Sequence, residues 1–95
     1  MSSLLRVSEA GSLALHATAA MAGARGERVT ARKMAAALGV SEAHLAKVLQ
    51  RLTRAGLVRG TRGPRGGYRL TRPPSRISLR EVYEAVEGSL EVEHC

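Results

Sequence analysis

Residues 41–70 read SEAHLAKVLQRLTRAGLVRGTRGPRGGYRL, and the order of the parts decides the architecture. Ser41 has the side chain of a helix N-cap, and Glu42 behind it suits the positive end of a helix dipole. Leu45, Val48, Leu49 and Leu52 then recur at helical spacing as an apolar stripe that ends near Gly56. Subtracting that stripe leaves His44, Lys47, Arg51 and Arg54 together on the opposite side of the helix. A solvated helix face usually mixes signs, whereas this one is cationic throughout.

Leu57, Val58 and Arg59 lead into a loop of glycines, Pro64 and arginines, and Gly67, Tyr68, Arg69 and Leu70 lead out of it. Short β-prone segments on both sides of such a turn predict a two-stranded hairpin. A nucleotide P-loop is excluded, because no Lys followed by Ser or Thr is placed to hold phosphate and magnesium. Gly63, Pro64, Arg65 and Gly66 do spell the GXXG of an RNA-binding KH clamp, but that clamp joins two helices and both flanks here read as extended. A hairpin directly after a cationic helix reads instead as a wing. Its glycines permit tight turns, and Arg62 and Arg65 stand at its tip to meet phosphates or a narrow minor groove.

Upstream, Ser8 is the expected cap of a first helix carrying Leu13, Ala14, Ala17, Ala20 and Met21, which Gly23 and Gly26 stop. Thr30 caps a second helix, with Met34, Ala35 and Leu38 on its buried face and Gly39 as its left-handed terminus. Gly39, Val40 and Ser41 are then the turn of a helix-turn-helix; an ordinary helical hairpin has the same outline, and the uniformly cationic face favours the DNA reading. Downstream, Pro73, Pro74 and Ser75 form a break. Ser78 and Glu81 make a capping box for a last helix, with Leu79, Val82, Tyr83 and Val86 as its apolar stripe up to Gly88 and Glu81, Glu84, Glu87 and Glu91 on the other side.

The chain has 95 residues, enough for one domain, and a formal net charge of +7. From Ala43 to Arg80 no Asp or Glu occurs among ten basic residues, and from Glu81 to Cys95 the sign reverses. A single charged block is usually just a solvated face, but self-repulsion along so long a cationic stretch must be offset by something, and a phosphate backbone would offset it. With no Phe or Trp, the core must be built from Ala, Leu and Val, so a partner subunit is expected to help bury surface. The single cysteine, Cys95, excludes an internal disulfide framework, and no stretch reads as a signal peptide or a membrane span, so a cytoplasmic setting is expected. There is no Asp, hence no Ser, His and Asp set, and neither an enzyme active site nor a small-molecule substrate is indicated. His94 beside Cys95 is read as part of an unbound tail rather than a metal site, and His16 as a tolerated polar residue.

The pattern LxxAGLVxxxRGxxGGYxL over residues 52–70, followed by IxLxEVxxAVEG over residues 77–88, resembles the Rrf-two (Rrf2) family of bacterial winged helix-turn-helix transcription regulators, which includes the iron-sulfur cluster regulator and the nitric-oxide-sensitive repressor. The resemblance runs from about Leu5 to Cys95 and implies one mainly α, winged helix-turn-helix DNA-binding domain over residues 1–95, dimeric on a palindromic operator. It implies a recognition helix at about residues 41–55 in the major groove and a wing at residues 58–70 alongside. By position, Ser41, Ala43, His44 and Lys47 fall on groove-facing residues and Arg62 on the wing arginine. With Arg51, Arg54, Arg65, Arg32 and Thr30 they form the expected DNA-binding set, His44 and Lys47 for base edges and the arginines for phosphates. Leu13 stands where a tyrosine is common. Cys95 falls on the first of three cysteines that hold an iron-sulfur cluster in some members. One thiolate cannot hold a cluster that takes four protein ligands, so a cluster is expected only where a longer form supplies the rest. A winged-helix protein-interaction module and an RNA-binding module are the competing readings.

Overall fold

The computed structural model describes residues 9–64 and 66–94, with side chains described as far as Glu87. Helix α1 spans Glu9–Gly23, α2 Ala31–Leu38, α3 Glu42–Arg54 and α4 Leu79–His94; strands β1 (Val58–Thr61) and β2 (Gly67–Leu70) lie between α3 and α4. Two hydroxyl caps set the helix-turn-helix. The Thr30 hydroxyl accepts from the Lys33 N–H at 3.0 Å to start α2, and the Ser41 hydroxyl accepts from the His44 N–H at 3.0 Å to start α3. Between them Gly39 takes φ 71°, and its N–H closes on the Ala35 carbonyl, which turns the chain without strain. The Ser8 expected to cap α1 lies outside the described residues.

The core lies where α1, α3 and α4 meet. Ala14 and Ala17 are fully buried, and these small side chains let α1 lie close against α4, its main packing partner. Met21, Met34, Leu45, Leu49, Leu52, Val82 and Val86 fill the space around them. Each such aliphatic side chain contributes roughly 1.5–3 kcal/mol of transfer free energy, so α3 is held mainly by its own leucines.

β1 and β2 pair antiparallel with Val58 opposite Leu70, Arg59 opposite Arg69, Gly60 opposite Tyr68 and Thr61 opposite Gly67. The Tyr68 ring lies over Gly60, where a Cβ would come within 2.9 Å of it, so the position needs glycine for space. A Cβ on Gly66 would collide with the Thr61 carbonyl oxygen, which fixes how the tip closes. Tyr68 also exchanges two backbone hydrogen bonds with Val29, at 2.9 and 2.7 Å. This bridge, which the local sequence does not announce, ties the wing to the residue before the Thr30 cap.

The end of the chain departs from expectation in three ways. The break after Thr71 holds a single 3-10 turn, Pro74–Arg76. Leu79, placed on the buried stripe by its spacing, is 71 % exposed, whereas Val82 and Val86 are buried. It stands on the outer side of the first turn, and Ile77, just before the cap, packs against the core instead. Finally, α4 continues through Gly88 to His94, because a single glycine costs a helix only about 1 kcal/mol. The capping box at its start is present: the Ser78 hydroxyl accepts from the Glu81 N–H and a Glu81 carboxylate oxygen accepts from the Ser78 N–H, both at 3.0 Å.

Candidate nucleic-acid interface

The hairpin stands beside α3 so that the two enclose an open groove of about 640 Å³. Lys47, Gln50, Thr53 and Arg54 form the helix wall, with Gly60, Thr61, Arg62 and Tyr68 opposite. Three cations therefore face one groove, and among the described residues no acid lines it. Local folding accounts for each. Lys47 and Arg54 project from the side of α3 opposite its buried leucines, and Arg62 follows directly on β1. The cationic helix face and the wing thus lie on the same side of the molecule.

Gln50 and Thr53 were not anticipated. Being uncharged, they did not register in a reading keyed to cations, although Gln50 stands one helical turn from Lys47 on the same exposed face. Its amide can both donate and accept, as required to read an adenine edge. The Thr53 hydroxyl proton is given to the Leu49 carbonyl at 2.8 Å, so only its oxygen remains to accept.

Other expected residues lie elsewhere. Arg51 does not line the groove: its Nη1 donates to the Val86 carbonyl at 2.7 Å and ties α3 to α4. Ser41 and His44 border a second open groove, of about 720 Å³, against Glu9, Ser12, Leu13 and His16 of α1. His16 Nδ1 donates to the Ser12 carbonyl at 2.8 Å, a contact within its own helix. Ala43 is exposed on the first turn of α3, Arg32 is exposed on the first turn of α2, and Thr30 is its cap. Arg65 and Cys95 lie outside the described residues.

Two further arginines of the basic run are used internally. Arg72 forks onto Glu81, Nη2 to Oε2 at 3.0 Å, while its Nη1 also donates to the Arg76 carbonyl at 2.9 Å. Arg80 pairs with Glu84 at 3.0 Å along α4. The Ser78 N–H, with the Arg72 guanidinium beside it, holds the Glu81 carboxyl below the usual carboxylate range. Among the described residues no helix is long and apolar enough to cross a membrane.

Among the described residues, four α-helices, a capped helix-turn-helix and a two-stranded wing beside its second helix define a winged helix-turn-helix domain. Residues 7–95 match the family model Rrf2, described as an iron-dependent transcriptional regulator. The chain belongs to the Rrf2 family, whose members are transcriptional regulators and not enzymes. It is 48 % identical over 73 residues to the protein aau3 of Rhizobium meliloti, covering 76 % of this chain and 47 % of that one. It is 44 % identical over 55 residues to the HTH-type transcriptional regulator IscR of Cereibacter sphaeroides, covering 58 % of this chain and 36 % of the relative. Among solved structures, T. potens IscR superposes with a TM-score of 0.80 at 34 % identity, over 90 % of this chain and 63 % of that one. CymR, the global cysteine regulator of B. subtilis, superposes with a TM-score of 0.81 at 29 % identity, over 88 % and 66 %. The chain spans about half the length, or less, of these curated relatives.

The family description raises the question of iron. This chain has one cysteine, and among the described residues no group of three or more His, Cys, Asp or Glu side chains could hold a metal ion. That donor set does not fit an iron-sulfur cluster.

Proposed function

We propose that this domain binds duplex DNA sequence-specifically, as a dimer on a palindromic operator, with α3 in the major groove and the wing along the adjacent minor groove. The observation that carries this reading is the groove between α3 and the wing, which gathers Lys47, Arg54 and Arg62 and, among the described residues, is lined by no acid. Lys47 and His44, with Ser41 and Ala43 beside them, face base edges. Arg54, Arg62, Arg65 and Arg32, with Thr30 at the start of α2, contact the backbone. Arg51, engaged by the Val86 carbonyl, serves by fixing α4 rather than as a phosphate contact. A cytoplasmic location fits a regulator of this kind.

Binding-site selection from random duplexes, with the mass of the complex measured, tests the reading. The expected result is a palindrome with half-sites about one helical turn apart, bound by two chains. Preference for single-stranded RNA, or no duplex bound at moderate salt, overturns it.

A further inference from the structure

The wing has a second face. Gly60 and Tyr68 line the groove against α3, and side chains alternate along a strand, so Arg59 and Arg69 project from the opposite surface of the hairpin. They are directly paired across the two strands, and like charges placed so destabilise a sheet. Among the described residues neither has an acidic partner. They share a shallow depression of about 240 Å³ with Gly26. Arg69 also borders a neighbouring groove of about 500 Å³ that Lys33 and Arg28 line, with Glu27 the one acidic residue there. The Val29–Tyr68 bridge is what brings that segment against the wing. The cations of this surface therefore come from β1 and β2 and also from α2 and the segment just before it, which are separate from the wing in sequence.

We infer that this outer face is a second phosphate-binding surface, with Arg59 and Arg69 at its centre, for the DNA strand on the far side of the minor groove from α3. The inference rests on the DNA-binding reading and adds a strand to it. A wing lying in a minor groove has a sugar-phosphate backbone on each side. The inner one passes the groove of Lys47, Arg54 and Arg62, and the outer one meets Arg59 and Arg69. Neutralising phosphates would remove the repulsion that the isolated hairpin carries between its paired arginines.

The test uses the full chain and a selected duplex. In the double variant Arg59→Gln, Arg69→Gln, the slope of log affinity against log salt is expected to flatten by about two units. Backbone protection from hydroxyl radical is expected to be lost on one strand outside the wing and retained beneath α3. The melting temperature is expected to stay level or rise. Arg59→Lys, Arg69→Lys keeps the charge and should retain the wild-type slope, which separates charge from packing if the glutamine variant folds less well. An unchanged slope and footprint in the glutamine variant overturns the inference and leaves the DNA-binding reading standing. Loss of binding to polyglutamate with an unchanged DNA footprint also overturns it, since the face would then serve an acidic protein. If the wild-type chain binds no duplex in a salt-dependent way, both readings fail together.

Discussion

α3 and α4 carry opposite charge and use it differently. The glutamates near the start of α4 are engaged inside the molecule: Glu81 holds Arg72 and caps its own helix, and Glu84 holds Arg80. On α3, Lys47 and Arg54 face an open groove that, among the described residues, no acid lines. The exception on α3 is Arg51, which donates to α4. Charge that completes the fold is thus paired at the distance of one hydrogen bond, whereas Lys47, Arg54 and Arg62 are gathered at one groove. The sign of a helix by itself does not say which of the two it is.

The hardest way to break this contrast is through the core that both helices share. Leu52→Ala, at a fully buried site on α3, is expected to cost about 2–5 kcal/mol in chemical denaturation, and DNA binding should fall with folding. Lys47→Ala should leave stability nearly unchanged and relax discrimination at one operator position by about 1–3 kcal/mol, read from competition among single-base variants of the selected site. Arg51→Ala sharpens the comparison. It should lower stability by about 1 kcal/mol yet leave the salt dependence of binding as it was, the reverse of Arg54→Ala. A slope flattened in Arg51→Ala would return that residue to the phosphate contacts.

The smallest expected effect lies at Glu81. Its carboxyl is held below the usual carboxylate range in the folded chain, so its contribution to stability is fully present above that range and is lost as pH falls through the lowered value. Melting temperatures between pH 6 and pH 3 should therefore fall less steeply in Glu81→Gln than in the wild type. Parallel curves would show that the Ser78 and Arg72 contacts leave no mark on stability.

The parts of the fold legible in the sequence are those whose signals are local. Thr30, Gly39 and Ser41 announce their turn by side-chain chemistry, and the leucines of α3 by their period. The glycine-rich tip separates two β-prone segments with little ambiguity. What remained hidden depends on partners distant in the chain. Val29 looks like any residue before a cap until Tyr68 arrives beside it, and nothing near Arg51 announces the Val86 carbonyl. Leu79 fits the apolar period of α4 but stands exposed on its first turn. Within the candidate groove, positive charge points to Lys47, Arg54 and Arg62, whereas Gln50 carries none, and spacing alone does not show that Arg51, on the flank of α3, reaches the Val86 carbonyl.

The pair of hydrogen bonds between Val29 and Tyr68 has a mechanical meaning. It fastens the hairpin to the strut from which α2 departs, so the parts that would touch a duplex turn as one block. Any bending between the wing and the start of α2 would have to break those two bonds first.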